Sequence, residues 1–202
     1  MIRIFGTPKS RAFRCVWAAE EAGLPYELVP VGFGPQLKSG AHLRLNPNGK
    51  IPAMEDGDLH LFESLAINLH VAAKAGPPLM PTGDEASLVL QWTLWAATEV
   101  EPAAMQWAYN TYLRPEGERD AGQAAQGAAG LGARLDVLEG QLTAAPYLIG
   151  ESFTIADCNL AGVLYGAWAN RFDFGGHPRS RSWLDRCLNR PAALAARKLR
   201  EA

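Results

Sequence analysis

Short apolar runs of strand length dominate the first third of the chain, and helical spacing dominates the remainder. Ile2 to Phe5 predicts a strand, and Ala12, Cys15, Val16 and Ala19 then recur at i, i+3, i+4, i+7, the spacing of one helix face. Ser10 opens that helix and Gly23 ends it. Tyr26 to Val31 predicts a second strand, so the opening segment reads as a β-α-β unit with parallel strands and a right-handed crossover. Ile51 to Met54 and His60 to Phe62 flank Glu55-Asp56-Gly57-Asp58, where Asp-Gly predicts a hairpin, and a helix from about Ser64 to Ala75 follows. That order, β-α-β, then a hairpin, then a helix, is the order of a thioredoxin-like α/β domain.

Gly76-Pro77-Pro78 and Pro81-Thr82-Gly83-Asp84 cannot continue a helix. They predict a linker over 77–86 between an α/β domain of residues 1–76 and an all-helical domain of residues 87–202. Asp84 is the expected N-cap of the apolar run Leu88, Val89, Leu90, Trp92, Leu94 and Trp95. Leu131, Leu135, Leu138 and Leu142 form one stripe at i, i+4, i+7, i+11. The Ala- and Gly-rich stretch before it predicts a frayed helix start, because each interior Gly costs about 1 kcal/mol against Ala. Thr154-Ile155-Ala156-Asp157 predicts a capping box with Asp in the usual Glu position, and Pro191 starts the last helix.

Composition narrows the function. With 48% hydrophobic and 20% charged residues the chain has the material for real cores. Its net charge of -2 supplies no concentrated basic surface, which excludes nucleic acid or an anionic membrane as the expected partner and favours a small neutral or zwitterionic ligand. Neither a secretory apolar core nor a run near the roughly 20 apolar residues of a membrane span is present, so a cytoplasmic protein is expected. Cys15, Cys158 and Cys187 are odd in number and far apart, as suits reduced thiols. His42, His60, His70 and His177 show neither metal nor triad spacing, and no metal is expected.

Four segments carry a resemblance. They are Gly6-Thr7-Pro8-Lys9-Ser10-Arg11-Ala12-Phe13-Arg14 with Gly23-Leu24-Pro25-Tyr26-Glu27 beyond it; Asn46-Pro47-Asn48-Gly49-Lys50-Ile51-Pro52-Ala53-Met54; Phe62-Glu63-Ser64-Leu65-Ala66-Ile67; and Pro146-Tyr147-Leu148-Ile149-Gly150 running into Phe153-Thr154-Ile155-Ala156-Asp157. In this order and spacing the chain resembles the cytosolic glutathione transferase superfamily, in its serine-type, theta-like or bacterial, class. The resemblance implies a thioredoxin-like glutathione-binding domain, an all-α C-terminal domain and a homodimer. The implied partners are glutathione as co-substrate and a hydrophobic electrophilic small molecule.

It also implies residue roles. Ser10 stands where a serine donates a hydrogen bond to the glutathione sulfur. Bringing a thiol from about 8.5 to roughly 6.5 needs about 2.7 kcal/mol of preference for thiolate. A hydrogen bond to a charged group supplies about 1.5–3 kcal/mol, and a helix N-terminus about 0.3–1, rising to about 2 when partly buried. Arg14, one turn on, is placed to add positive potential. The first tyrosine is Tyr26, which disfavours the tyrosine classes, and Cys15 lies on the apolar face and reads as core. Ile51 is implied to pair its backbone with the cysteinyl unit ahead of a cis Pro52. Glu63 and Ser64 are implied to hold the γ-glutamyl end, and Lys50 and Lys38 the glycine carboxylate. Glu99 and Glu101 lie in the helix from which some relatives reach the γ-glutamyl ammonium across the dimer, and neither is assigned that role. Thr154 and Asp157 are structural, and the co-substrate site is expected between the domains, with Trp107, Tyr109, Tyr165 and Trp168 as candidate lining. The rival readings are a non-catalytic binding or assembly module, and a glutathione-dependent peroxidase or isomerase. The isomerase class carries a serine-cysteine cluster that is missing from Lys9-Ser10-Arg11-Ala12.

Overall fold

Strand β1 (Ile2–Gly6) buries Ile2 and Ile4 by alternation and lies inside a four-stranded sheet of order β2-β1-β3-β4. β2 (Tyr26–Pro30) runs parallel to β1, while β3 (Ala53–Asp56) pairs antiparallel with both β1 and β4 (Leu59–Phe62). Gly57, at φ +63°, lies between the paired ends Asp56 and Leu59 of the predicted hairpin, where a side chain would be strained. These elements belong to a computed structural model that describes residues 1–202, in two compact units: Met1–Thr82 with Asn189–Ala202, and Gly83–Leu188.

Helix α1 (Ala12–Ala22) makes the β1-to-β2 crossover and ends at left-handed Gly23, as predicted. It starts two residues later than expected, so Ser10 precedes the helix. Its buried surface is wider than the predicted stripe and takes in Phe13, Arg14, Trp17 and Ala18, because α3 (Ser64–Ala75) and α9 (Pro191–Glu201) both pack on it. The packing of α9 also assigns Asn189–Ala202 to the first unit, although sequence places them in the helical domain. Arg190 bridges Glu21 through two bonds, Nε–Oε1 at 2.7 Å and Nη2–Oε2 at 2.8 Å, and the Glu21 side chain is 5% exposed. A bidentate, part-buried pair of this kind is better held than an open surface pair. Between β2 and β3 lie a 3₁₀ turn, Pro35–Lys38, and helix α2 (Gly40–Leu45), neither of which the pattern predicts.

The second unit is helical throughout. α4 (Asp84–Trp95), a π-helical turn at Ala96–Val100, α5 (Glu101–Ala108) and a second such turn at Tyr109–Leu113 follow one another without a break. Gly83 occupies the cap position, and Asp84 is the first helical residue rather than the cap. α6 (Ala121–Gln141) is helical from Ala121 on, through the Ala- and Gly-rich stretch. Asp120 caps it by accepting from Gln123 N at 2.9 Å, and a Cβ on Gly127 would lie 2.4 Å from Trp107 N. The glycine that weakens the isolated helix is what lets α5 and α6 approach.

α7 (Ile155–Ala169) is buried on almost every face, with α4, α5 and α8 (Pro178–Leu188) packed on it. Asp157, fully buried, accepts from Thr154 N, Thr154 Oγ1, Leu148 N and Trp183 Nε1 at 2.9–3.1 Å. Burial pushes its carboxyl pKa up, and the four donors pull against that shift. No helix is long and apolar enough to cross a membrane.

Candidate active site

One end of the sheet gathers the predicted residues. Phe5 pairs with Ala53 and Ala53 with Phe62, so the next step along the strands brings Gly6, Pro52 and Glu63 to a common row. Gly6 ends β1 and leads into the turn that carries Ser10. Pro52 precedes β3, outside its ladder because a proline has no N–H to give, and the Ile51–Pro52 bond is cis. Glu63 follows β4 and opens α3.

Gly6 shows how close the first two groups are. A Cβ there would lie 2.7 Å from Ala12 Cβ, 3.6 Å from Ile51 Cβ and 3.7 Å from Ser10 Oγ. The missing side chain lets Ile51 and the Ser10 hydroxyl share one small space. Ser10 is half-buried. Its N–H and its hydroxyl both donate to Thr7 O, at 2.9 and 2.7 Å, and its Oγ accepts from Ala12 N at 3.1 Å. The hydroxyl therefore receives a helix-start N–H while its proton points at a neutral carbonyl, a partner that an anion can displace.

Glu63 holds φ +71° and ψ 110°, a conformation that costs a non-glycine residue about 1–3 kcal/mol. Its side chain is exposed and makes no capping bond, whereas Ser64 is buried directly beneath it. The strained turn thus sets the Glu63 carboxylate beside the N-terminus of α3.

The lysines sit on the adjoining loop. Lys38 Nζ donates to Asn48 O at 3.3 Å and lies over Gly49, one residue from exposed Lys50. His42, to which the sequence assigns no role, and Asn46, the first residue of the second motif, hold this loop in place. His42 Nε2 and Asn46 Nδ2 both donate to Lys50 O, at 2.9 and 2.8 Å, and both side chains are buried. Their role is addressed to a backbone carbonyl, and the only signal for it was the i, i+4 spacing of a histidine and an asparagine.

Cys15 is fully buried, with Sγ 3.6 Å from Ser64 O, and burial drives its thiol pKa well above the ordinary value, against a smaller opposing pull from Arg14. It is a core residue, as predicted. Arg14 is buried in α1. Glu99 pairs with Arg134 Nη2 at 2.8 Å within the second unit, and Glu101 begins α5. Of the candidate lining aromatics, Trp107 and Tyr165 are buried core, Tyr109 is exposed, and Trp168 donates to Asp185 Oδ1 at 2.6 Å. No group of three or more His, Cys, Asp or Glu side chains is placed to hold a metal ion.

A thioredoxin-like sheet with Ser10, a cis proline and a strained acidic turn at one end, in a chain that also carries a helical unit, defines the glutathione transferase fold. The N-terminal domain family of glutathione S-transferases matches residues 2–73, and the C-terminal domain family matches residues 100–191. Glutathione S-transferase 1 of Zea mays is 34% identical over 186 residues, covering 89% of this chain and 87% of that protein. Maize glutathione S-transferase I in complex with an atrazine glutathione conjugate superposes with a TM-score of 0.91 at 31% identity, over 99% of this chain and 98% of that one. A theta class enzyme from the citrus canker pathogen Xanthomonas axonopodis pv. citri, with glutathione bound, superposes at 0.88 with 30% identity, over 96% of each chain. The chain belongs to the glutathione S-transferase family.

Proposed function

We propose that this glutathione transferase is of the serine type: Ser10 donates a hydrogen bond from its hydroxyl to the glutathione sulfur, which favours the thiolate, and that thiolate is conjugated to a hydrophobic electrophile. The observation that carries this reading is the convergence of Ser10 Oγ and Ile51 on the space beside Gly6. Ile51 pairs its backbone with the cysteinyl unit as an extra rung of strand, which sets the sulfur next to Ser10. Glu63 takes the γ-glutamyl ammonium, while Ser64 and the α3 N-terminus take the adjacent carboxylate. Lys50 and Lys38 take the glycine carboxylate. The relatives solved with glutathione and with an atrazine conjugate support both halves of the assignment, the tripeptide and an electrophilic partner.

The energetics follow from what the hydroxyl gives up. Its bond to Thr7 O is neutral and worth about 0.5–1.5 kcal/mol, against about 1.5–3 for a bond to an anion, so the net gain is about 1–1.5 kcal/mol. The N-terminus of α1 adds about 0.3–1 kcal/mol, or up to about 2 in a partly buried site. The thiol proton leaves to solvent. The sulfur lone pair then forms the new C–S bond, while the leaving group departs with its electron pair or the π bond opens. In the same reading the protein is a cytoplasmic homodimer whose glutathione domain spans residues 1–76 and whose helical domain follows the linker, with the last helix, α9, packed back on α1 of the first unit.

The test is Ser10→Ala. Near neutral pH kcat/KM should fall roughly tenfold, and the bound thiol should titrate about one unit higher. A raised thiol pKa means less thiolate below it, so the acid limb of the pH profile moves to higher pH. An unchanged titration of bound glutathione would remove Ser10 from the mechanism.

A further inference from the structure

The turn that carries Ser10 is clamped from the far end of the chain. Arg200, in the last turn of α9, donates through Nη1 to Pro8 O at 2.7 Å and to Ser10 O at 3.0 Å. Its guanidinium also lies over the Phe13 ring, 5.4 Å from the centroid, on the first turn of α1. The helix that delivers it is anchored by the Arg190–Glu21 pair at its start and by Ala193 and Ala196 buried on its inner face. With Thr7 O taken by Ser10 itself, each of the three carbonyls Thr7, Pro8 and Ser10 has a named donor.

Two physical effects follow from that placement. A single nitrogen shared by two carbonyls fixes their separation, and with it the direction in which the Ser10 side chain leaves the turn. A full positive charge also rests on the carbonyl of the residue whose hydroxyl faces the sulfur, in a half-buried setting where screening by water is reduced. Arginine suits both tasks, since it stays charged and its planar fork holds direction.

We infer that Arg200 is a positioning residue for thiol activation, holding the Thr7–Ser10 turn so that the hydroxyl meets the sulfur and adding positive potential that favours the thiolate. This rests on the Ser10 reading above. Arg200 does not touch the reacting atoms; it acts through the turn.

The deciding measurement is the pH titration of the thiolate absorbance of bound glutathione in wild type, Ser10→Ala, Arg200→Gln and Arg200→Lys, with a urea midpoint taken beside each. Arg200→Gln keeps donors but loses the charge, and its midpoint should rise by about half a unit to one unit. Arg200→Lys keeps the charge on a less directed donor and should rise by roughly a quarter to half a unit. In both, kcat below the midpoint should fall in step with the lost thiolate, about three- to tenfold for Gln, and converge on wild type above it. KM for glutathione should change less than about twofold, since no contact with the tripeptide is removed. A wild-type midpoint in whichever Arg200 variant is folded, while Ser10→Ala still moves, overturns this inference and leaves the Ser10 reading standing. No movement in any variant, Ser10→Ala included, overturns both.

Discussion

Helix starts in the two units treat their polar side chains differently. At α7 the side chains of Thr154 and Asp157 are buried, and the Asp157 carboxylate is filled by four donors. At α1 the Ser10 hydroxyl is half-buried and its proton rests on a neutral carbonyl; at α3 Glu63 is strained, exposed and makes no capping bond. A saturated helix start can only hold the fold together. The starts at Ser10 and Glu63 lie at the same end of the first unit's sheet, which is where the proposed glutathione site draws its contacts.

The sharpest way to break this contrast is Asp157→Ala, which leaves four buried donors without an acceptor. A loss of about 3–5 kcal/mol is expected, read as a fall in the urea midpoint. A loss below about 1 kcal/mol would mean that the buried start is no more committed than the exposed ones. Next in size is Gly127→Ala. Its new Cβ meets the backbone of Trp107 instead of a flexible side chain, so α5 and α6 must part, at about 1–3 kcal/mol. Gly132→Ala, with nothing within 4 Å of the added carbon, should instead gain about 0.5–1 kcal/mol. If both substitutions stabilise, the close approach of the helices has no energetic content.

Glu63→Gly tests the other side of the comparison. Relief of the positive φ should raise stability by about 1 kcal/mol while glutathione binding weakens, so that stability and affinity move in opposite directions. If they fall together, the strain is not held for the ligand. The smallest effect is electrostatic. Lys74 and His70 hydrogen-bond to Asp56 and hold its carboxyl below the ordinary value. Because the folded value lies below the unfolded one, near 3.9, the stabilisation is present above about pH 4 and is lost as pH falls through the folded value. Asp56→Asn should remove that part of the acid dependence of stability, an effect below about 1 kcal/mol with an exposed lysine as partner.

What could be read from the chain was whatever is local. The β-α-β unit, the turn at Gly57 and the Gly23 terminus each declare themselves within a few residues, as do Ser10, Ile51-Pro52 and Glu63-Ser64 through their motifs. α2 escaped because six residues with one buried side chain, His42, carry no periodicity. Helix propensity counts the loss at each glycine of α6 and not the neighbour that Gly127 admits. The supports of the site were hidden for a common reason. His42 and Asn46 bond to Lys50 O and Arg200 to Pro8 O and Ser10 O, and backbone carbonyls have no letter in a sequence. The place of α9 was equally hidden, since the partners Glu21 and Arg190 lie 169 residues apart.

That last feature bears on the order of events during synthesis. Asn189–Ala202 are translated after every residue of the second unit, yet they complete the first. The earliest-made sheet must leave the ribosome with one face of α1 still open, and waits through the making of the whole helical unit before Arg190 reaches Glu21 and Arg200 reaches the Ser10 turn. The part of the chain born first is therefore finished last.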